Sequence, residues 1–333
     1  MQPIVRDADW YVARLKPAQS RPRVVIDTDA ANEIDDQFAL AWALLSPEIE
    51  VEAIYACPFS FAHRRGAVPA APADARAFSA PAIGMERSYE EILRVCDLLG
   101  SRVHSRVFRG SAGYLQALDA PLHSAAVDHL IATARGMHGD EPLYVVAIGC
   151  ATNVASALLL APDIAHKIVV VWTSGYPSCS PQRNNSFNLE QDMLASTWLL
   201  DSGVPLVYLP GYQVGAQLRL SLPEMERFVK GRGPKGGAIG DYLYQLFTHN
   251  PLWEIVGFEG YVGYSWVMWD LINFAWLINP AWVPSEIVPT PLLLPDKRWQ
   301  SDPARHPMRE AYAVQRDAIF RDFFKKLELG HVQ

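Results

Sequence analysis

The stretch Val24-Val25-Ile26-Asp27-Thr28-Asp29-Ala30-Ala31-Asn32-Glu33-Ile34-Asp35-Asp36-Gln37-Phe38-Ala39-Leu40 decides the fold. A short aliphatic run of the kind that fills a strand covered on both faces stops at Asp27, and a segment of helical period starts at Asp36. Between them five acidic residues, Asp27, Asp29, Glu33, Asp35 and Asp36, fall within ten positions. Carboxylates that close raise one another's pKa unless a cation sits among them. A hard divalent ion with oxygen ligands resolves the conflict, and Ca²⁺ or Mg²⁺ suits the set better than Zn²⁺, because no Cys or His is near. Asp35 and Asp36 are neighbours on a first helical turn and point about 100° apart, so one can hold a metal while the other faces a water. The competing reading is a solvated acidic loop with an N-capping Asp.

The same alternation continues outward. Strand-like runs are Val24 to Asp27, Val51 to Ala56, Val107 to Arg109, Leu143 to Ile148, Ile168 to Trp172 and Pro205 to Leu209. Helix-like segments lie at Asp36 to Leu45, Ser88 to Leu99, Ala125 to Ala134, Asn153 to Leu160 and Glu190 to Leu200, with a capping box expected at Ser88/Glu91 and a stop at Gly100. Strands and helices in alternation predict an α/β fold: a mostly parallel sheet covered by helices on both faces, with ligand sites at the carboxyl ends of the strands. After Pro210 the alternation gives way to a helical C-terminal half, ending in an amphipathic helix from about Met308 to Leu327. The connection from Cys57 to Ser88, with four prolines and the trio His63, Arg64 and Arg65, reads as an irregular surface excursion over the strand ends. The site candidates spread from Asp27 to Asp270, which argues for one domain over residues 1–333.

Composition narrows the function. The 333 residues carry 29 Lys plus Arg against 36 Asp plus Glu, a net charge of −7, and half are hydrophobic, so a large core is expected and disorder is not. No basic face is implied, which sets nucleic-acid partners aside. Two long stretches are nearly free of charge, Leu143 to Pro162 and Gly260 to Ser285. The first carries Gly149, Thr152 and Asn153 and reads as strand, turn and helix; the second keeps Asp270 at its centre, which needs a partner or a metal wherever it is buried. Neither is read as a membrane span. Met1 to Trp10 lacks the apolar core of a signal peptide, and the four cysteines show no C-x-x-C pairing, so a cytoplasmic location is expected.

Further motifs stand at other strand ends: Ala147-Ile148-Gly149-Cys150-Ala151-Thr152-Asn153, Trp172-Thr173-Ser174-Gly175-Tyr176, Asn184-Asn185-Ser186-Phe187-Asn188-Leu189-Glu190-Gln191-Asp192, and Val267-Met268-Trp269-Asp270-Leu271. In this order, and with the D-T-D…D-D signature as its most specific part, the set from about Arg23 to Pro280 resembles the nucleoside hydrolase family, in particular the inosine-uridine type of nucleoside N-ribohydrolase. The resemblance implies one Ca²⁺ with Asp29, Asp36, the backbone carbonyl of Thr152 and Asp270 as its protein ligands, Asp35 as the general base, Asn188 as the asparagine that holds ribose hydroxyls, and Asp27 as a supporting carboxylate. It implies hydrolysis of the N-glycosidic bond of a ribonucleoside, a small-molecule substrate, and a dimeric or tetrameric assembly.

The chain also departs from that pattern. Ala30-Ala31-Asn32-Glu33-Ile34 is two residues longer than the family's Pro-Gly turn, and Cys57-Pro58-Phe59 replaces the usual Gly-Asn. Ser186-Phe187-Asn188 lacks a glutamate, which leaves part of its task to Asn184 or Asn185. Trp269 stands where pyrimidine-accepting members carry a histidine; it resembles purine-preferring members, whose indole stacks on the base, and it equally suits a core position. Two other classes compete: a phosphatase with Asp27 as nucleophile, and a catalytically silent nucleoside- or sugar-binding member. Gly231-Arg232-Gly233-Pro234-Lys235-Gly236 matches G-x-G-x-x-G but follows a helical segment rather than a strand, so a dinucleotide site is not expected there.

Overall fold

The computed structural model describes residues 6–67, 78–250 and 264–333. Strands β1 (Arg23–Thr28), β2 (Glu50–Ala56), β3 (Val107–Arg109), β4 (Leu143–Ala147), β5 (Ile168–Ser174) and β6 (Leu206–Pro210) pair in parallel in the order 3-2-1-4-5-6. The sheet is extended past β6 by β12 (Pro307–Ala311), parallel to it, and β9 (Ser285–Pro289), antiparallel to β12. Two short antiparallel pairs stand apart from it, β7 (Arg219–Ser221) with β8 (Ser265–Val267) and β10 (Leu292–Leu293) with β11 (Trp299–Gln300).

Period-two alternation along each strand builds two cores, one per sheet face. Val24, Ile26, Val146, Val171 and Val207 face one, beneath helices Asp35–Leu44, Pro81–Leu99, Pro234–Thr248, Leu271–Ile278 and Arg316–Leu329. Val25, Val145, Val170 and Leu206 face the other, beneath helices Ala125–Arg135, Thr152–Leu160 and Met193–Asp201. Helix Asp35–Leu44 is buried at all ten positions because it lies between the sheet and an outer layer of helices, which is why its sequence is apolar all round instead of striped. Phe38, fully buried there against Phe323, is the kind of side chain whose truncation to Ala costs about 3–5 kcal/mol.

The strand expectations hold to within two residues at each end. Three boundaries change. Helix Pro81–Leu99 opens with Pro at its first position, so Ser88 lies inside it, buried and uncapping, and Glu91 instead accepts hydrogen bonds from Gln37 and Tyr242. Residues 308–311, expected at the start of the terminal helix, form β12, and the helix runs over Arg316–Leu329. The connection after β2 is not a plain surface excursion: Phe59 and Phe61 are buried, with Phe61 stacked on Phe187 at 4.4 Å between ring centroids. Among the described residues no helix is long and apolar enough to cross a membrane, and Leu143 to Pro162 is a strand, a turn and a helix as expected. Part of Gly260 to Ser285 lies outside the described residues.

Candidate active site

In a sheet of this strand order the chain leaves β1 toward one side and β4 toward the other, which opens a crevice at their carboxyl ends. The acidic loop runs into that crevice. Asp27 is the last residue but one of β1 and Asp29 follows the strand; a turn closed by Asn32 N–H donating to the Asp29 carbonyl brings the chain round, with Ala31 at φ +77°. A non-glycine residue there carries backbone strain, and the turn swings Glu33, Asp35 and Asp36 back over the strand end. Asp35 and Asp36 begin one helix and Asp270 immediately precedes Leu271–Ile278, which lies against it. Two helix N-termini therefore carry the acids.

Asp35, Asp36 and Asp270 each offer a carboxylate oxygen within 4.8 Å of the others, and Asp29 lines the same cavity. All four are nearly inaccessible to solvent. Thr28 Oγ1 donates to Asp36, and Asn32 Nδ2 donates to Asp29 Oδ2 at 3.1 Å. Among the described residues, no Lys, Arg or His forms an ion pair with any of them, and Arg64 is the only cationic side chain lining the cavity. Burial, then the charge of Asp36, raises Asp35 to about 8; burial, then Asp35, raises Glu33 to about 8. Burial first and neighbouring acids next push Asp29, Asp36 and Asp270 well above the usual carboxylate range. An all-oxygen set of this density fits a hard divalent cation, whose charge would return these groups to their ionised form.

Behind them, Asp27 is fully buried, accepts a hydrogen bond from Asn153 Nδ2 at 2.8 Å and is raised by burial to about 7, while its Oδ2 has no partner. It does not line the cavity, so the phosphatase reading with Asp27 as nucleophile has no accessible nucleophile. Thr152 starts its helix at the end of β4 and donates through Oγ1 to Asp192 at 2.6 Å. Asp192 in turn accepts from the backbone of Leu115 and Ala195, which ties three segments beneath the site.

The side walls come from other strand ends. Asn188 lines the cavity with its amide nitrogen donating to the carbonyls of Ile148 and Thr173. Ser186, in the place of the family's glutamate, shares a 2.6 Å hydrogen bond with Ser174. Asn184 does not reach the cavity: it is fully buried, accepting from Tyr176 N–H and donating to the Lys297 carbonyl, so its place in the substrate site is not supported by its position. Trp269 lines the cavity half-buried, edge-on to Tyr212 at 5.7 Å. Glu33, Arg64, Phe187 and Tyr212 are lining residues that the sequence reading did not assign. Glu33 had a signal, being one of five clustered acids; Arg64 had only its place in a basic trio.

Comparisons with known proteins bear on the family and the fold. A family model described as inosine-uridine preferring nucleoside hydrolase matches residues 24–316. A non-specific ribonucleoside hydrolase, RihC, of Shigella flexneri serotype 5b (strain 8401) is 26% identical over 279 residues, covering 77% of this chain and 79% of that protein. A pyrimidine-specific ribonucleoside hydrolase, RihA, of Klebsiella pneumoniae (strain 342) is 24% identical over 282 residues with the same coverage. The solved purine-preferring ribonucleoside hydrolase from Gardnerella vaginalis superposes with a TM-score of 0.66 at 19% identity, over 92% of this chain and 98% of that one, a likeness of fold. The chain belongs to the inosine-uridine preferring nucleoside hydrolase family and is a hydrolase.

Proposed function

We propose that the chain hydrolyses the N-glycosidic bond of a ribonucleoside with Ca²⁺ as cofactor and Asp35 as the base. The observation that carries this reading is the group of buried carboxylates Asp29, Asp35, Asp36 and Asp270, gathered at the strand-order reversal with no ion pair to any of them among the described residues. Asp29, Asp36, Asp270 and the carbonyl of Thr152 would hold the ion. When bound, it supplies positive charge that ionises the carboxylates and an oxygen-seeking centre that orients ribose hydroxyls.

The remaining steps belong to the chain. Asp35, ionised, accepts a proton from water as its oxygen bonds to C1′ and the C1′–N bond breaks; the base departs with the electron pair and takes up a proton. Positive charge builds on the ribosyl ring, and the crowded carboxylates around it stabilise that charge more than the neutral substrate. Asn188, held by two backbone carbonyls, presents its amide oxygen to a ribose hydroxyl. Trp269, with Tyr212 braced edge-on against it, offers a face for the base, which suits a purine. All these groups sit on one sheet with shared cores, which supports reading residues 1–333 as one domain.

The test is direct. The protein is incubated with Ca²⁺ and inosine, uridine, p-nitrophenyl riboside or p-nitrophenyl phosphate, and reducing sugar and phosphate are assayed. Release of ribose from the ribosides, fastest from inosine, is expected. Ribosides that bind without turnover would favour a silent binding protein.

A further inference from the structure

Two charged groups that line the cavity lie outside the set Asp29, Asp35, Asp36 and Asp270, and they come from two connections in which this sequence departs from its family. Arg64 stands on the connection after β2. Its guanidinium lies 5.2 Å over the Phe187 ring; Nε is held by Glu190, and Nη2 donates to the Asn185 carbonyl at 2.6 Å. Nη1 makes no hydrogen bond among the described residues. Glu190 is itself gripped by Lys297 at 2.6 Å and His63 at 3.1 Å, so the arginine is presented on a fixed mount and is not a free surface side chain. Glu33 stands on the longer acidic loop and lines the same cavity; its Oε2 is buried, with the Trp266 indole N–H as the donor that faces it. Each feels the other's charge, yet no ion pair within 4.0 Å joins them. A carboxylate and a guanidinium that share a cavity without closing on each other leave an acceptor and a donor for whatever lies between.

Resting on the nucleoside reading above, we infer that Glu33 and Arg64 read the edge of the nucleobase, and that the preferred base carries an N–H beside a C=O, as in a 6-oxopurine. A ribose ring offers hydroxyls, which the oxygen-rich floor already serves. The flat face of a base is served by the aromatic walls. The part of a nucleoside still unserved is the polar edge of its base, where an N–H can donate to Glu33 and a carbonyl can accept from Arg64. A base without that edge offers no partner to the Glu33 carboxylate or to Arg64 Nη1, which is how polar sites discriminate.

The test compares inosine with purine riboside, which lacks both the 6-oxo group and the neighbouring N–H. The wild-type protein is expected to favour inosine in kcat/KM by about tenfold or more. Arg64→Met and Glu33→Ala each bring that ratio to within about twofold, while Arg64→Lys, which keeps a cation on the Glu190 mount, retains an intermediate ratio. An unchanged ratio in Arg64→Lys and Glu33→Ala, with both substrates slowed alike, would overturn the inference and leave these residues as supports. If the wild-type protein cleaves neither riboside, the proposed function fails by itself; the ratio is then read from equilibrium dissociation constants by calorimetry, and equal affinity for the two compounds overturns the inference as well.

Discussion

A single carboxylate, Glu190, and the four of the acidic cluster behave oppositely. Burial alone would raise Glu190, but hydrogen bonds from His63, Lys297 and Arg64 outweigh it and hold the group at about 2. Asp29, Asp35, Asp36 and Asp270 are buried more deeply, form no ion pair among the described residues, and are driven upward. One acid to which Arg64, Lys297 and the His63 ring all donate is a mount; four acids with no ion-pair partner among the described residues call for charge from outside. The difference separates architecture from function by chemistry alone, since both sets are carboxylates and both are buried.

That contrast can be broken in graded steps. Replacing Asp35 with Ala should lower kcat by about 10²–10⁴-fold while calorimetry still records Ca²⁺ binding through Asp29, Asp36 and Asp270; retained turnover would remove Asp35 as the base. Chelation should abolish turnover and expose a pH dependence. In the cation-free protein Asp27 and Asp35 stand at about 7 and 8, above their unfolded values near 4, so the folded state binds more protons and stability falls as pH rises through that window. The melting temperature of the chelated protein is expected to drop by about 5 °C or more between pH 5 and 8, and added Ca²⁺ to remove the slope. Glu190 has the reverse sign: its contribution is complete above about pH 4.5 and is lost toward pH 2.

Smaller effects sharpen the other side. Glu190→Gln leaves two cations around a neutral amide, and because Arg64, His63 and Lys297 are partly exposed the cost by urea unfolding is about 1–2 kcal/mol, with KM raised through the loosened Arg64. Ala31→Gly removes the cost of a left-handed φ at the turn that aims the acidic loop, and thermal unfolding should show a gain of about 0.5–1 kcal/mol with turnover unchanged.

What was legible in the sequence was local. Strand β1, the acidic loop and the following helix are contiguous, so period and charge density locate them together; Asp270 betrays itself as a lone charge in an apolar run. Arg64 and Glu33 carry no such mark, because their significance comes from a cavity formed by segments distant in sequence. Asn184 shows the converse, an amide with a suggestive neighbourhood that tertiary contacts spend on two backbone groups. The stretch at 308–311 reads as helix by its own spacing and becomes β12 because the edge of β6 is free to pair with it, and Glu310 is buried there only because Ser178 supplies two donors. Propensity loses to an open sheet edge.

The meeting of helices Asp35–Leu44 and Leu271–Ile278 has a consequence for biosynthesis. Three of the acids emerge from the ribosome early and the fourth only near the end, so a nascent chain holds an incomplete set of oxygens throughout most of its synthesis. The N-terminal strands can pair as they appear, but a divalent ion held as proposed would gain its last side-chain ligand only when the helix Leu271–Ile278 docks, which would make its capture a late event in synthesis.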